Sequence, residues 1–423
     1  MRILIATDAF PPIAGGSGWS TYELARGLRA RGHHVVVVRT YSERDPVPTS
    51  YDGFDVAGFP AFAPPLPFLR NYVRNERLYQ RLSRHLAGVI TKEQIDLIHA
   101  QHVLTGPPSV MAARRIGIPS LCTVRDYWPV CYWGDVLADP DAGVVCPGCS
   151  AGAMTRCLRP RTGRAWPATL PMIPYMRANL RHKQAGLADA DAIVAVSHHV
   201  AAALRERAPE FRRSRIETIP NGVDVQGVRA DADATTRPMP GPYALFVGKL
   251  AKNKGAHALV DVAERARLEM PLVVAGDGPE RESVEHAASA AGRDVRILGW
   301  RDRGEVFQWL RHAELLMFPS VWPEPLSRVL IEASALSVPI AAMNTGGTSD
   351  VIADEETGLL SSSPVELAED VARLATDSAL RERLGTAAGR RAERNFDLPI
   401  LVGRHERLYG ELIAKRPTAY RAV

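Results

Sequence analysis

Short runs of aliphatic residues alternate along this chain with longer segments whose apolar positions recur every three or four residues. ILIATDAF, HHVVVVRT, DLIHAQH and IPSLCTVRD are strand-length runs in the first half, and DAIVAVS leads into the helix-like HHVAAALRER before IETIPNGVDV closes it. This is the patterning of repeated βαβ units. The run Val35–Val38 contains no polar position, which predicts a strand covered on both faces, as in a parallel sheet. A glycine turn at Gly15, Gly16 and Gly18 separates the first strand from a helix predicted over about Ser20 to Arg31. After the polar stretch ADADATTRPMPGP, read as a linker, the alternation restarts with YALFVGKL and a helix from His257 onward. PLVVAGDG, VRILGW, EVFQWLRHA, LLMFPS, SRVLIEASAL and VPIAAMN continue it, and FDLPILVGRHERLYGELIAK reads as a terminal helix. The predicted class is α/β, with two successive Rossmann-like units over residues 1–222 and 223–398 and a last helix over 399–423.

Composition narrows this picture only slightly. A length of 423 residues suits two cores, and 46% hydrophobic with 23% charged residues is ordinary for a globular protein. MRILIATDAF reads as a first strand and not as a secretion signal, and the longest apolar runs are strand-sized, so the expected location is the cytoplasm. A net charge of +5 fits anionic small molecules or a membrane face, with no feature that calls for nucleic acid.

The chemistry concentrates in VWPEPLSRVLIEASALSVPIAAMNTGGTSDVI. A strand is predicted to end at Ser320, a proline-flanked loop presents Glu324, and Pro325 suits the opening of a helix. Ser327, Arg328 and Val329 then carry unbonded backbone amides at a helix start, a natural site for an anion. Glu332 comes eight positions after Glu324, so a loop carboxylate and a helix carboxylate can bracket one ligand.

EPLSRVLIEA resembles the E-x7-E signature of family 4 of the glycosyltransferases, retaining enzymes of the GT-B fold. FPPIAGGSG is similar to that family's N-terminal glycine loop, IPNGVDV to its interdomain crossover, and FVGKLAKNKG to its basic loop after the first strand of the second domain. AGDGPERE, ILGW and GGTSDVI come next in the family's order. The resemblance implies two Rossmann-like domains facing across a cleft, with the terminal helix crossing back to pack on the first. It implies transfer of a hexosyl-type group from a UDP- or GDP-sugar, with retention and no catalytic divalent metal. The acceptor expected is a lipid-linked or polysaccharide precursor, another glycan or a small molecule. By position, Lys249 and Lys254 would pair with the donor diphosphate, with Lys254 also acting in catalysis. Glu324 would contact the transferred sugar, Glu332 the ribose, the amides at Ser327, Arg328 and Val329 the distal phosphate, and the main chain at Leu298 the base. Gly15 and Gly16 would let backbone approach the sugar phosphate. Where the family commonly has a histidine, TVRDYWP offers Arg125, and His102 in HAQH is a nearby catalytic candidate.

Two further patterns fall in the first half. Cys131, Cys146, Cys149 and Cys157 lie in a glycine-rich insertion over about 131–157, compatible either with a structural zinc or with reduced thiols. Arg70, Arg74, Arg77, Arg81 and Arg84 would share one arc of about 80° on a regular helix, with Leu78, Tyr79, Leu82 and Leu86 opposite. That stripe reads as a solvated face or as a surface for anionic lipid, placing the protein at the inner face of the membrane. The rival functions are a sugar-nucleotide epimerase of the same fold and a non-catalytic sugar-nucleotide-binding protein.

Overall fold

In this computed structural model, which describes residues 1–12, 15–42, 45 and 49–415, the strands in chain order fall into two parallel-dominated sheets and one hairpin. They are β1 (Arg2–Thr7), β2 (His34–Tyr41), β3 (Ser50–Tyr51), β4 (Phe54–Pro60), β5 (Leu97–Ala100), β6 (Ser120–Val124), the hairpin pair β7 (Leu137–Asp139) and β8 (Val144–Val145), β9 (Ala192–Ala195), β10 (Ile216–Thr218), β11 (Ala244–Val247), β12 (Leu272–Ala275), β13 (Val295–Gly299), β14 (Leu315–Phe318), β15 (Ile340–Met343) and β16 (Leu359–Ser361). The chain divides into one unit formed by Met1–Val136, Pro147–Gly222 and Leu398–Val423, and a second formed by Leu137–Cys146 and Val223–Asp397.

The sheet of the first unit runs β10-β9-β6-β5-β1-β2-β4-β3, parallel except for the short β3. Its central strand obeys the two-residue period. Ile3 and Ile5 enter one apolar cluster with Leu24, Leu28 and Val37, while Leu4 and Ala6 enter another with Val38, Leu82 and Leu86. Burial on both faces accounts for the unbroken VVVV run. The last helix, Leu398–Ala414, completes the first of these clusters with Leu401, Val402, Leu408, Tyr409 and Leu412. It comes so close to the helix Gly16–Ala30 that a Cβ on Gly27 would lie 2.5 Å from Val402 Cγ2. The Tyr409 hydroxyl also bonds His99 Nδ1 at 2.7 Å, from within the sheet.

The second unit has a six-stranded parallel sheet, β13-β12-β11-β14-β15-β16. Its core gathers Phe246, Leu259, Val274, Met317, Leu367 and Leu384 from strands and covering helices.

Three expectations change. The first helix begins at Gly16, earlier than Ser20, because Gly15 supplies an extended residue that caps it. Ile13 and Ala14 of the same glycine loop lie outside the described residues. The supposed linker is partly helical: Val225–Asp233 forms a helix whose cap, Asp224, accepts from the Gly227 amide.

The arginine stripe is also broken. A π-helical turn, Val73–Arg77, sits between the α-helices Pro67–Tyr72 and Leu78–Lys92. Each turn of that kind takes an extra residue, which rotates the later side chains out of the 3.6-residue phase. Arg77, Arg81 and Arg84 therefore remain on an exposed face, with Arg77 over Tyr72 and Arg81 over Phe59, both at 5.9 Å. Arg70, itself exposed, and the half-buried Arg74 line a cavity of the first unit. Leu78, Tyr79, Leu82 and Leu86 are buried, as the spacing predicts. No helix among the described residues is long and apolar enough to cross a membrane.

Candidate functional site

In the second unit the loop after β14 brings a carboxylate and an ammonium together. Glu324 is 3% exposed, and its Oε1 accepts from Lys254 Nζ at 2.5 Å and from Ser320 Oγ at 2.7 Å. Lys254 Nζ also lies 4.7 Å from the centre of the Trp322 ring. Backbone packing holds this loop. The Gly347 amide donates to Glu324 O at 2.6 Å, and a Cβ on Gly346, at φ +57°, would come within 2.4 Å of the Glu324 amide nitrogen. Gly255 has φ +74°, and a side chain there would meet Pro319 O at 2.0 Å. Glycine is therefore required on both sides of the Lys254–Glu324 pair.

The helix Arg328–Ala335 starts at Ser327, which makes no side-chain cap bond. Glu332 is buried on this helix, where Arg328 Nε donates to its Oε1 at 2.7 Å and Arg303 Nε lies 3.7 Å away. Two guanidinium groups thus face one carboxylate. Lys249 is exposed, beside a crowded backbone crossing at which a Cβ on Gly276 would lie 1.8 Å from Gly248 O. Leu298 is in β13, and its carbonyl accepts from Arg301 Nη2 at 2.8 Å. Trp300, just past that strand, is 78% exposed, an apolar surface that the strand pattern does not signal.

In the first unit the strand ends assemble a different group. Asp8 lies just past β1, His102 past β5 and Asp126 past β6, and these three strands are neighbours in the sheet. His102 Nδ1 lies 2.9 Å from Asp8 Oδ2, and its Nε2 lies 3.4 Å from Asp126 Oδ2. Burial opposes the imidazolium, but the bonds and charges of Asp126 and Asp8 outweigh it and raise the pKa to about 10. The charged histidine therefore joins two carboxylates. Motif spacing singles out neither Asp8 nor Asp126, although both stand where ligands meet the carboxyl ends of parallel strands.

Arg125 does not point into this group. Its Nε donates to Asn221 Oδ1 at 3.1 Å, and its Nη1 donates to Gln101 O at 3.0 Å and Gln101 Oε1 at 2.5 Å. It bridges the end of β6 to the segment after β10. Gly15 and Gly16 open the first helix, and added Cβ atoms there would meet nothing within 4 Å.

Among the described residues no group of three or more His, Cys, Asp or Glu is placed to hold a metal ion. Cys157 is buried in the apolar cluster with Tyr132, Met154 and Leu158, and its Sγ donates to Met154 O at 3.3 Å. Burial also pushes the Cys131 thiol pKa up. Cys149 borders the same cluster, and Cys146 belongs to the hairpin segment grouped with the second unit.

Residues 229–391 match the model described as glycosyl transferases group 1, and residues 14–226 match that of glycosyltransferase family 4. A D-inositol 3-phosphate glycosyltransferase of Xylanimonas cellulosilytica is 26% identical, over 96% of this chain and 93% of its own length. Among solved structures, sucrose-phosphate synthase of Thermosynechococcus elongatus superposes with a TM-score of 0.72 at 22% identity, over 98% of this chain and 100% of that one. HepE of Anabaena, solved in complex with UDP-glucose, gives 0.66 at 17% identity, over 97% and 100%. With its two Rossmann-like units, its E-x7-E loop and helix and a family match over half its length, the chain belongs to glycosyltransferase family 4 and is a glycosyltransferase of the GT-B fold.

Proposed function

We propose that this enzyme transfers a hexosyl group from a UDP- or GDP-sugar to an acceptor with retention of anomeric configuration, using Lys254, Glu324 and Glu332 of the second unit as its donor site. The observation that carries this reading is the buried Glu324 carboxylate, bonded to both Lys254 and Ser320 one loop before the amides of Ser327, Arg328 and Val329. A diphosphate placed at those amides and at Lys249 and Lys254 has its growing negative charge neutralised as the sugar departs. The leaving phosphate oxygen takes the acceptor hydroxyl proton on the face where the new bond forms. The carbon–oxygen bond to phosphate breaks, the bond to the acceptor oxygen replaces it on the same side, and configuration is kept. Glu324 lies where it can steady the sugar, Glu332 where it can accept from ribose hydroxyls, and Leu298 beside the base. HepE, the similar protein solved with UDP-glucose, supports UDP as the first base to test. A thermal-shift screen across nucleotide sugars identifies the donor, since a ligand that binds only the folded state raises the melting temperature. Transfer or donor hydrolysis in the wild type that is absent in Glu324→Gln separates this reading from that of a sugar-nucleotide-binding protein.

We also infer a peripheral membrane contact in the first unit. Phe62, Leu66, Leu69 and Tyr72 are exposed apolar side chains, and Arg77, Arg81 and Arg84 form an exposed basic face just beyond them. Apolar insertion beside cationic charge suits an anionic bilayer. If sedimentation with anionic liposomes is the same for the wild type and for a variant with those three arginines changed to Gln, the contact is refuted.

A further inference from the structure

One hairpin from the first half of the chain belongs to the second unit. β7 and β8 pair antiparallel, Leu137 with Val145 and Asp139 with Val144, and the segment Leu137–Cys146 groups with Val223–Asp397. Its turn is fixed from within, because Asp139 Oδ1 accepts from the Asp141 amide at 2.9 Å and from the Ala142 amide at 3.1 Å. The chain enters the hairpin through Val136, a buried residue at φ +53°. That conformation is costly for a β-branched side chain and persists only where the surroundings impose it.

The turn ends against the loop that carries Glu324. Gly143 has φ +67°, and a Cβ there would lie 3.0 Å from Val321 Cγ2 and 3.6 Å from Val321 Cβ. Val321 is flanked by two residues tied to the same atom. Ser320 Oγ donates to Asn253 O at 3.2 Å, and the Trp322 amide donates to that oxygen at 3.0 Å. The residue after Asn253 is Lys254, whose ammonium bonds Glu324 and lies against the Trp322 ring. A displacement of Val321 therefore reaches Lys254 through one shared carbonyl and one ring. Val321 is itself β-branched and stiff at χ1, so it passes on a push that a longer, unbranched side chain would absorb. Close packing transmits strain of this kind.

We propose that the hairpin Leu137–Cys146 is a positioning element of the donor site, with Gly143 and Val321 as positioning residues that set Trp322 and Lys254 against Glu324. Its effect on transfer rests on the donor reading above; its hold on the Lys254 loop does not. Neither residue has a polar side chain to offer a substrate, so both act through shape. Glycine at position 143 leaves Val321 where it is, and any side chain there would move it.

Three variants of the whole chain test this: Gly143→Val, Val321→Ala and Val321→Ile. Hydrogen–deuterium exchange on peptides spanning 249–256 and 318–326 needs no substrate. Gly143→Val and Val321→Ala should each speed exchange there by about tenfold or more, while Val321→Ile stays within about twofold of the wild type. Kinetics follow, with the nucleotide sugar that gives the largest thermal shift. Both disruptive variants should lower kcat by about tenfold or more, because misplacement of about 1 Å at a reacting centre costs up to about a hundredfold. The donor KM should change by less than about twofold, the mark of an interaction lost in the transition state, and Val321→Ile should keep most of the wild-type kcat. If the wild type acts on no nucleotide sugar, the donor reading fails, and the exchange result alone decides whether the hairpin holds the Lys254 loop. Three results would overturn the proposal: unchanged exchange in both disruptive variants, a higher KM with kcat unaltered, or activity lost only in proportion to folded protein with Val321→Ile as impaired as Val321→Ala.

Discussion

The two units treat charge in opposite ways. In the second, both carboxylates proposed to meet the donor are held by cations: Glu324 by Lys254, and Glu332 by Arg328 and Arg303. In the first, a histidine is clamped between two aspartates, while among the described residues the buried Lys183 forms no ion pair. A site whose carboxylates are each held by cations can wait in its folded form and exchange partners when a diphosphate arrives. A buried ammonium without an ion pair leaves its desolvation uncompensated. The contrast is between charges held by their neighbours around Glu324 and Glu332 and a buried lysine held only against a ring face.

The sharpest way to break the comparison is Glu324→Gln. It should lower the turnover for sugar transfer by about a hundredfold or more, the scale of losing one electrostatic group at a reacting centre, while the melting temperature changes little. Equal loss of activity and of folded protein would show that the pair is structural. Next comes Gly255→Val, which forces a β-branched residue into φ +74° and against Pro319 O. It should destabilise the fold by about 3 kcal/mol or more in denaturant unfolding. Gly16→Val, where an added Cβ meets nothing within 4 Å, should be much milder.

The smaller effects are pH dependences of opposite sign. His102 has a folded pKa of about 10, above its unfolded value. Its contribution is fully present below about pH 6.5 and is lost as pH rises through about 10. Stability of the wild type minus that of Asp8→Asn should therefore shrink over that range in urea melts. Lys183 has a folded pKa of about 8, below its unfolded value, so between there and about 10.5 the unfolded chain binds more protons and stability rises with pH. The gain of Lys183→Met over the wild type should fade across that window. If wild type minus Asp8→Asn and wild type minus Lys183→Met change with pH in the same direction, the comparison between the clamped histidine and the buried lysine is wrong.

The sequence is most readable where the chemistry is local. Glu324, the amides after Ser327 and Glu332 lie within one loop and one helix, so spacing alone places them together. The strands are legible because burial on both faces leaves no polar interruption, as in Val35–Val38. The histidine clamp is hidden because Asp8 and His102 are 94 positions apart and meet only once the strand order places β6, β5 and β1 side by side. A residue just past each of three predicted strands is the available signal. The arginine stripe fails for another reason: one π-helical turn changes the phase of a helix, and side-chain spacing carries no mark of it. Arg125 is legible as a departure from the expected histidine, but its use as a brace between Gln101 and Asn221 depends on tertiary neighbours.

The helix Leu398–Ala414 carries a consequence for biosynthesis. It supplies Leu401, Val402, Leu408 and Tyr409 to a core whose other members lie before Gly222. During translation that core stays incomplete while about 175 intervening residues are made, on the order of ten to thirty seconds at ordinary elongation rates. The continuous stretch Val223–Asp397 can close its own sheet in that interval. The later half of the chain is thus placed to finish folding first, and the surface around Gly27, which Val402 eventually covers, is where a chaperone would find the nascent protein open.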